Sequence, residues 1–583
     1  MTDSTTYPYQ DATLPVSERV EDLLARLDIE DKAGLMFHTM TGPGDPTKPM
    51  QMFPLPSIQS HIVERRMTHF NILGGAPSGA ELAAWQNACQ EIALSQRWGI
   101  PITFSTDPRH HFTDNPLMSL MAGPFSQWPE TLGLAAIAST ETMQRFGDIA
   151  RREYLAVGIR VALHPQIDLA TEPRWSRVAG TFGEDAELTS DLVEAYIYGF
   201  QGTEFGADSV STMTKHFPGG GAQKDGTDPH FQTGREQVYP AGMFEHHMAP
   251  FKRAIAAGTR QMMPYYGMPV GTEYEEVGFS FNKQVITGLL RERLGFDGIV
   301  CTDWGLVTDV KFGEADMPAR AWGAEHLSDA ERMQKIIDAG VDQFGGEHRP
   351  ELLVELVRDG KVSEERIDQS VRRLLVEKFE LGLFENPFAD VDACDGIVGN
   401  AEFVQAGLDA QSASVTVLKN ESVLPLAAGK KIYVEGVDAE VAGQYGTVVE
   451  SPAEADVALL RVKAPFEIRG EGMEQMFHQG NLEFSAEEAA HIAEVSAAVP
   501  TVVDVYLDRA AVLTAIVDAP AAVVANYGCS DTSLLEALTG KKQPIGKLPF
   551  DLPRSMAAIE ASREDAPFDT ENPLFRFGHG LGL

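Results

Sequence analysis

Cysteine is scarce in this chain, with four residues in 583: Cys89, Cys301, Cys394 and Cys529. They stand far apart, without a CxxC pair or the Cys/His spacing of a zinc site. That excludes a disulfide-stapled scaffold and a cysteine-bound metal, and leaves buried free thiols. Long hydrophobic runs are missing too, none approaching the roughly 18 apolar residues of a membrane span. The opening MTDSTTYPYQ has no basic region followed by an apolar stretch, so no secretory signal is visible. A cytoplasmic protein with no membrane partner is the expectation. Basic residues are outnumbered, 47 Lys and Arg against 85 Asp and Glu, for a formal net charge of −38. Such a surface repels phosphate backbones and anionic lipid, so nucleic acid is not expected as a partner, and a neutral substrate suits it better. The C-terminal half has neither a GxGxxG turn opening a helix nor a GxxxxGK[ST] loop, which weakens any nucleotide-dependent chemistry there.

What is present is an α/β alternation in two blocks, in a chain too long for one core. Val20, Leu23, Leu24 and Leu27 recur at helical spacing, and further helical patterns follow at 81–94 and 283–294. Between the helices lie six buried-type strands that end in polar or aromatic groups: NILGG (71–75), IPITFSTD (100–107), IRVALHPQID (159–168), STMTKHFPG (211–219), TRQMMPYYG (259–267) and GIVCTDWG (298–305). Near-continuous apolar strands alternating with helices predict a parallel sheet covered on both faces. In a (β/α)8 TIM-like barrel the strand ends meet at one mouth, which would gather Asp107, Asp168, Lys215, His216, Tyr265 and Asp303. Taken singly, each would read as a cap or turn residue; six coincident endings read as a site. The barrel is expected over 1–385, with a linker at 386–402 where the periodicity lapses. An α/β sandwich of flavodoxin type is expected over 403–583, with strands at 431–437, 456–462, 501–507 and 521–528 and helices at 486–499 and 531–539.

The chemistry centres on CTDWG, where Asp303 stands at the end of a strand. Displacement at a glycosidic carbon needs an anionic nucleophile on one face of the sugar and a proton donor on the other. KHFPGGG (215–221), PRWSRVAGTFGED (173–185), GFDGIVCTDWG (295–305), VLKNESVLPL (417–426), GKLPFDLP (546–553) and RFGHGLGL (576–583) together resemble glycoside hydrolase family 3 in its two-domain, β-glucosidase and exo-β-glucanase-like form. The likeness runs in consistent order from about residue 14 to the C-terminus. It implies that Asp303 is the catalytic nucleophile of a retaining glycosidase. Lys215 and His216 would bind hydroxyls of the sugar, Asp107 would grip it bidentately from the far side, and Arg177 would stand in the same pocket. Tyr265, with Tyr266 as its rival, matches a tyrosine beside the nucleophile. Ser176 replaces the family's usual glycine. Trp304 is expected to touch the sugar, and Trp175 is the weaker candidate. A neutral, hydroxyl-rich ring suits such carboxylates and fixed donors, and no metal or organic cofactor is required.

The proton donor is less legible. In two-domain members it is a glutamate on a second-domain loop. Here VKAPFEIRGEGMEQMF (462–477) carries Glu467, Glu471 and Glu474; Glu467 is preferred, its APFE setting being one residue shorter than the family's Pro-Tyr-Thr-Glu. The alternative is a His-Asp dyad of the kind found in the family's N-acetylglucosaminidases, represented by Asp228-Pro229-His230, with a longer spacing and Pro229 in place of Ser. His230 is otherwise a sugar-binding residue at the entrance, and Asp225 in the same loop is equally a turn residue. The expected function is an exo-acting β-glucosidase acting on a small or oligosaccharide β-glycoside. An N-acetylhexosaminidase using Asp228 and His230, a xylosidase-like specificity and an inactive carbohydrate binder remain open alternatives. Loops 41–58, 107–127 and 464–480 are expected to form the outer subsites, and their Pro, Met and aromatic content suggests an apolar entrance.

Overall fold

The computed structural model describes residues 7–50, 55–112, 120, 123–312 and 315–583. Parts of two expected outer loops, 51–54, 113–119 and 121–122, lie outside the described residues.

Eight parallel strands form the first sheet: β1 (Phe37–Thr41), β2 (His69–Ile72), β3 (Thr103–Thr106), β4 (Ile159–Ala162), β5 (Ser211–Phe217), β6 (Gln261–Pro264), β7 (Ile299–Val300) and β8 (Phe344–Gly345). From β1 to β7 each strand pairs with the next, and β8 pairs with β1. The circle closes where Cys301 bridges Gln343, with Asp342 N–H donating to the Val300 carbonyl at 2.8 Å and Thr302 N–H to the Gln343 carbonyl at 2.9 Å. The expected barrel is therefore present, with two strands the sequence pattern did not mark. β1 carries buried His38 and Thr39 instead of an apolar run, and β8 is two residues long. Val161, Leu163, Met213, Met263 and Cys301 fill the interior beneath Trp304, a packed plug that gives the site a floor.

The second sheet contains β9 (Thr416–Asn420), β10 (Lys431–Glu435), β11 (Thr447–Val448), β12 (Val457–Lys463), β13 (Thr501–Tyr506) and β14 (Ala522–Asn526), in spatial order β9-β14-β13-β12-β10-β11. Its five parallel strands follow the flavodoxin order, and β9 joins the edge antiparallel to β14. β13 is buried along its whole length, as expected of a strand covered on both faces. Helices Ala486–Ala498 and Asp531–Leu538 match the predicted patterns; the second is capped by Ser530, whose hydroxyl accepts from Ser533 N–H.

The segment 386–402, expected as a linker, is fastened to the barrel. Asn87 makes two hydrogen bonds of 2.9 Å with the backbone of Ala389, and Gly399 N–H donates to Glu153 at 2.6 Å. The C-terminal tail also returns to the barrel, where Asp551 and Phe568 N–H donate to the buried Glu184. Backbone and side-chain bonds thus hold the second domain over the barrel mouth.

Candidate active site

A cavity of about 960 Å³ opens at the C-terminal ends of the barrel strands. Asp107 follows β3, Lys215 and His216 lie in β5, Tyr266 follows β6 and Asp303 follows β7, and all five line it together with Arg177, His230 and Trp304. Seven of the nine expected site residues therefore share one space: Asp303, Asp107, Arg177, Lys215, His216, Trp304 and His230.

Asp303 is 7% exposed. Its Oδ1 accepts from Trp304 N–H at 2.8 Å, while Oδ2 has no hydrogen-bond partner among the described residues. A buried carboxylate oxygen without a partner is costly unless a ligand uses it. Lys215 Nζ sits 3.1 Å from Asp107 Oδ1, and Asn71 Nδ2 donates to Asp107 Oδ2 at 3.2 Å. Asp107 is thereby held with its hydroxyl-accepting edges toward the cavity. Asn71 was not foreseen, since one asparagine in a strand carries no pattern.

His216 is fixed by two neighbours. Its Nδ1 lies 2.7 Å from Asp168 Oδ2 and its backbone N–H donates to Oδ1 of the same carboxylate. Arg177 donates to Nε2 at 3.0 Å. Since Arg177 can only donate, Nε2 is the acceptor and Nδ1 carries the proton. The imidazole is neutral: burial, with Arg177 beside it, holds its pKa well below the usual histidine value. Asp303 Oδ2, 3.8 Å from Nε2, therefore faces a neutral ring. Arg177 supplies the positive charge nearby; burial opposes its charge, but Tyr265, Asp228 and Asp303 together raise its pKa above the ordinary arginine value. Asp168, one of the six convergent endings, is fully buried behind His216 and positions it. Burial pushes its carboxyl up to about 6 against the N–H groups of Gly220 and His216.

Two glycine positions shape the walls. A Cβ on Gly221 would stand 1.6 Å from the Leu169 carbonyl oxygen, so the Gly-rich turn after β5 passes where no side chain fits. A Cβ on Gly346, whose φ is +71°, would stand 2.8 Å from the Trp304 ring. Trp304 thus lies against the bare backbone that follows β8.

Two expectations need correction. Tyr265 does not line the cavity; it is fully buried, its hydroxyl reaching Asp228 at 3.3 Å. Tyr266 takes the place beside the nucleophile, accepting from Trp304 N–H at 3.0 Å. Adjacent side chains at a strand end point to opposite sides, and the inward one here is the second. Glu467 does not line the cavity either. Its N–H donates to the Gln479 carbonyl at 2.8 Å, Phe466 stacks on His478 at 3.8 Å, and the Glu467 carboxylate bonds Arg469 at 2.6 and 2.8 Å. That register turns its side chain, 45% exposed, toward Arg469. Glu471 and Glu474 are also absent from the lining, whereas Met473 and Phe477 of the same loop enter it.

His230 lines the cavity with its side chain 17% exposed. Its Nδ1 lies 2.6 Å from Asp228 Oδ1, and its ring packs on Tyr266 at 4.7 Å and Phe477 at 5.3 Å. Asp228 is buried, and also accepts from Trp175 Nε1 at 3.0 Å and Ser176 Oγ at 3.4 Å. This explains the serine in PRWSR and makes Trp175 a support of the dyad instead of a sugar contact. Arg320 and Trp322 donate to the carbonyls of His230 and Pro229, and Arg320 also reaches the Trp304 carbonyl. These two anchors were not legible in the sequence.

The model of the "Glycosyl hydrolase family 3 N terminal domain" matches residues 74–376, and that of the "Glycosyl hydrolase family 3 C-terminal domain" matches residues 444–583. The chain is 52% identical to Beta-glucosidase C of Emericella nidulans over 98% of its own length and 93% of that protein. It is 42% identical to the Periplasmic beta-glucosidase/beta-xylosidase of Dickeya chrysanthemi over 98% and 91%. Among solved structures, the b-glucosidase EmGH1 of Erythrobacter marinus superposes with a TM-score of 0.81 over 99% of this chain and 84% of that one; at 21% identity the likeness concerns the fold. Two family models in sequence order, and relatives matched over nearly their full length, agree with the strand-end constellation around Asp303: the chain belongs to glycosyl hydrolase family 3.

Proposed function

We propose that the protein is an exo-acting β-glucosidase that releases terminal β-D-glucosyl residues by double displacement with retention. The observation that carries this is the unpartnered Oδ2 of Asp303, aimed into a cavity whose floor holds Asp107, Lys215, His216 and Arg177. Those groups suit a neutral sugar held by its hydroxyls, and Oδ2 suits attack on the anomeric carbon, forming a covalent glycosyl-enzyme. The near-full-length relatives named for β-glucosidase activity support the glucoside, and the packed barrel interior below Trp304 supports a one-sugar, exo-acting site.

His230 is the group positioned to protonate the leaving oxygen and then to activate water. It lines the same cavity as Asp303, and Asp228 holds its Nδ1, leaving Nε2 for the substrate. Glu467, held by Arg469 outside the cavity lining, is the competitor. The function is tested by kcat/KM on aryl β-glucoside, β-xyloside and β-N-acetylglucosaminide. The glucoside is expected to be cleaved best and the N-acetylglucosaminide least. Preference for the N-acetylglucosaminide, or no cleavage of any of the three, would overturn the proposal.

A further inference from the structure

The cavity sits at the upper end of the roughly 300–1,000 Å³ of small-molecule sites, more room than one sugar needs. Its chemistry is divided. The polar grips come from the strand ends at the floor. Beside them the lining includes Met40 and Leu73 at the ends of β1 and β2 and, away from the strand ends, Leu55, Met317, Met473 and Phe477. Met473 and Phe477 reach over from the second domain, and Met317 comes from the excursion that follows the nucleophile. Asp309 and Lys311, which also line the cavity, are exposed at its rim.

We infer that this outer compartment is an aglycone site for an apolar group, so that the preferred substrates are alkyl or aryl β-glucosides and not oligosaccharides. The inference rests on the glucosidase proposed above and adds the class of leaving group. A second pyranose would turn most of its hydroxyls against thioethers and two leucines that offer no directed hydrogen bond, with His348 and Arg320 further polar side chains in the lining beyond those of the floor and rim. An alkyl chain or aromatic ring would exchange water for dispersion contact there. Methionine is unbranched and polarizable, so three of them around one space fit aglycones of varied outline. The floor would then set the sugar, and the Met-rich wall would set what the sugar is attached to.

The test is a series of methyl to hexyl β-glucosides, kept below micelle-forming concentrations, with cellobiose and laminaribiose alongside. Full burial of a methylene is worth up to about fourfold in affinity, so kcat/KM should climb about two- to fourfold per carbon and exceed both disaccharides by pentyl. In a Met317→Gln, Met473→Gln double variant the hexyl-to-methyl ratio should fall at least tenfold. The ratio needs no assumption about how the variant handles methyl glucoside. A series flat in chain length while methyl β-glucoside is still cleaved, or disaccharides preferred over hexyl β-glucoside, overturns the aglycone site alone. No cleavage of any β-glucoside, methyl included, overturns the glucosidase proposal and the aglycone site with it.

Discussion

Replacing His230 with Ala separates the two ways this site could move its proton. The perturbation is structurally mild, because Asp228 keeps Trp175 Nε1, Ser176 Oγ and Tyr265 OH as donors at 3.0–3.4 Å, with Arg177 nearby. The buried carboxylate is therefore not left bare, and the fold should survive. Chemically the loss is large. A positioned general acid contributes roughly 10²–10⁴ in rate, about 3–5 kcal/mol of barrier. The whole of that should fall on substrates whose leaving group needs a proton. His230→Ala should lower kcat/KM for hexyl β-glucoside by about 10²–10⁴, and that for 2,4-dinitrophenyl β-glucoside by less than about tenfold. Added azide should restore turnover and give β-glucosyl azide. The pH profile supplies a second readout. Burial lowers the His230 pKa below the usual 6.5, with Asp228 opposing it. The donor acts only while protonated, so kcat/KM should fall as pH rises through a value under 6.5. Asp228→Asn removes the opposing charge and should move that limb further toward acid. If His230→Ala behaves like the parent, and Glu467→Ala instead shows the leaving-group dependence and azide rescue, the assignment is refuted.

Other consequences follow from the same structure. Gly346→Ala places a Cβ 2.8 Å from the Trp304 ring at a φ of +71°; urea denaturation should show a loss of about 1–3 kcal/mol, with kcat/KM down at least tenfold, and an unchanged pair of values would remove Trp304's seat from the account. Buried His38, His111 and His247 have pKa values lowered by burial to about 4. Because the unfolded chain binds those protons more tightly, stability is full above pH 6.5 and is lost toward pH 4, by about 3 kcal/mol for each ring. Neither ring nitrogen of His61 finds a partner among the described residues, and burial lowers its pKa to about 3. His61→Phe should therefore gain more stability at pH 5 than at pH 7.5, and equal gains by urea titration would contradict this.

Much of this is legible in the amino-acid sequence. Six barrel strands showed as apolar runs because both of their faces are covered, and their polar endings named Asp107, Lys215, His216 and Asp303. β1 hid because His38, Thr39 and Thr41 are buried polar residues, and β8 because two residues make no pattern. What failed was orientation. The sequence places Tyr265 and Tyr266 together at one strand end, and only the register of β6 decides which faces the sugar. The APFE setting singles out Glu467 by a local likeness, but its direction is set by Arg469 two residues on and by a backbone bond to Gln479. Supports such as Asn71, Arg320 and Trp322 act through single contacts across the fold, and so leave no trace in spacing.

The most direct test of the central claim is covalent. Incubation with 2,4-dinitrophenyl 2-deoxy-2-fluoro-β-glucoside, which slows release of the glycosyl-enzyme, followed by proteolysis and peptide mass mapping, should place one fluoroglucosyl group on Asp303. Label on a different side chain, or rapid inactivation with no covalent sugar on any peptide, would contradict the account.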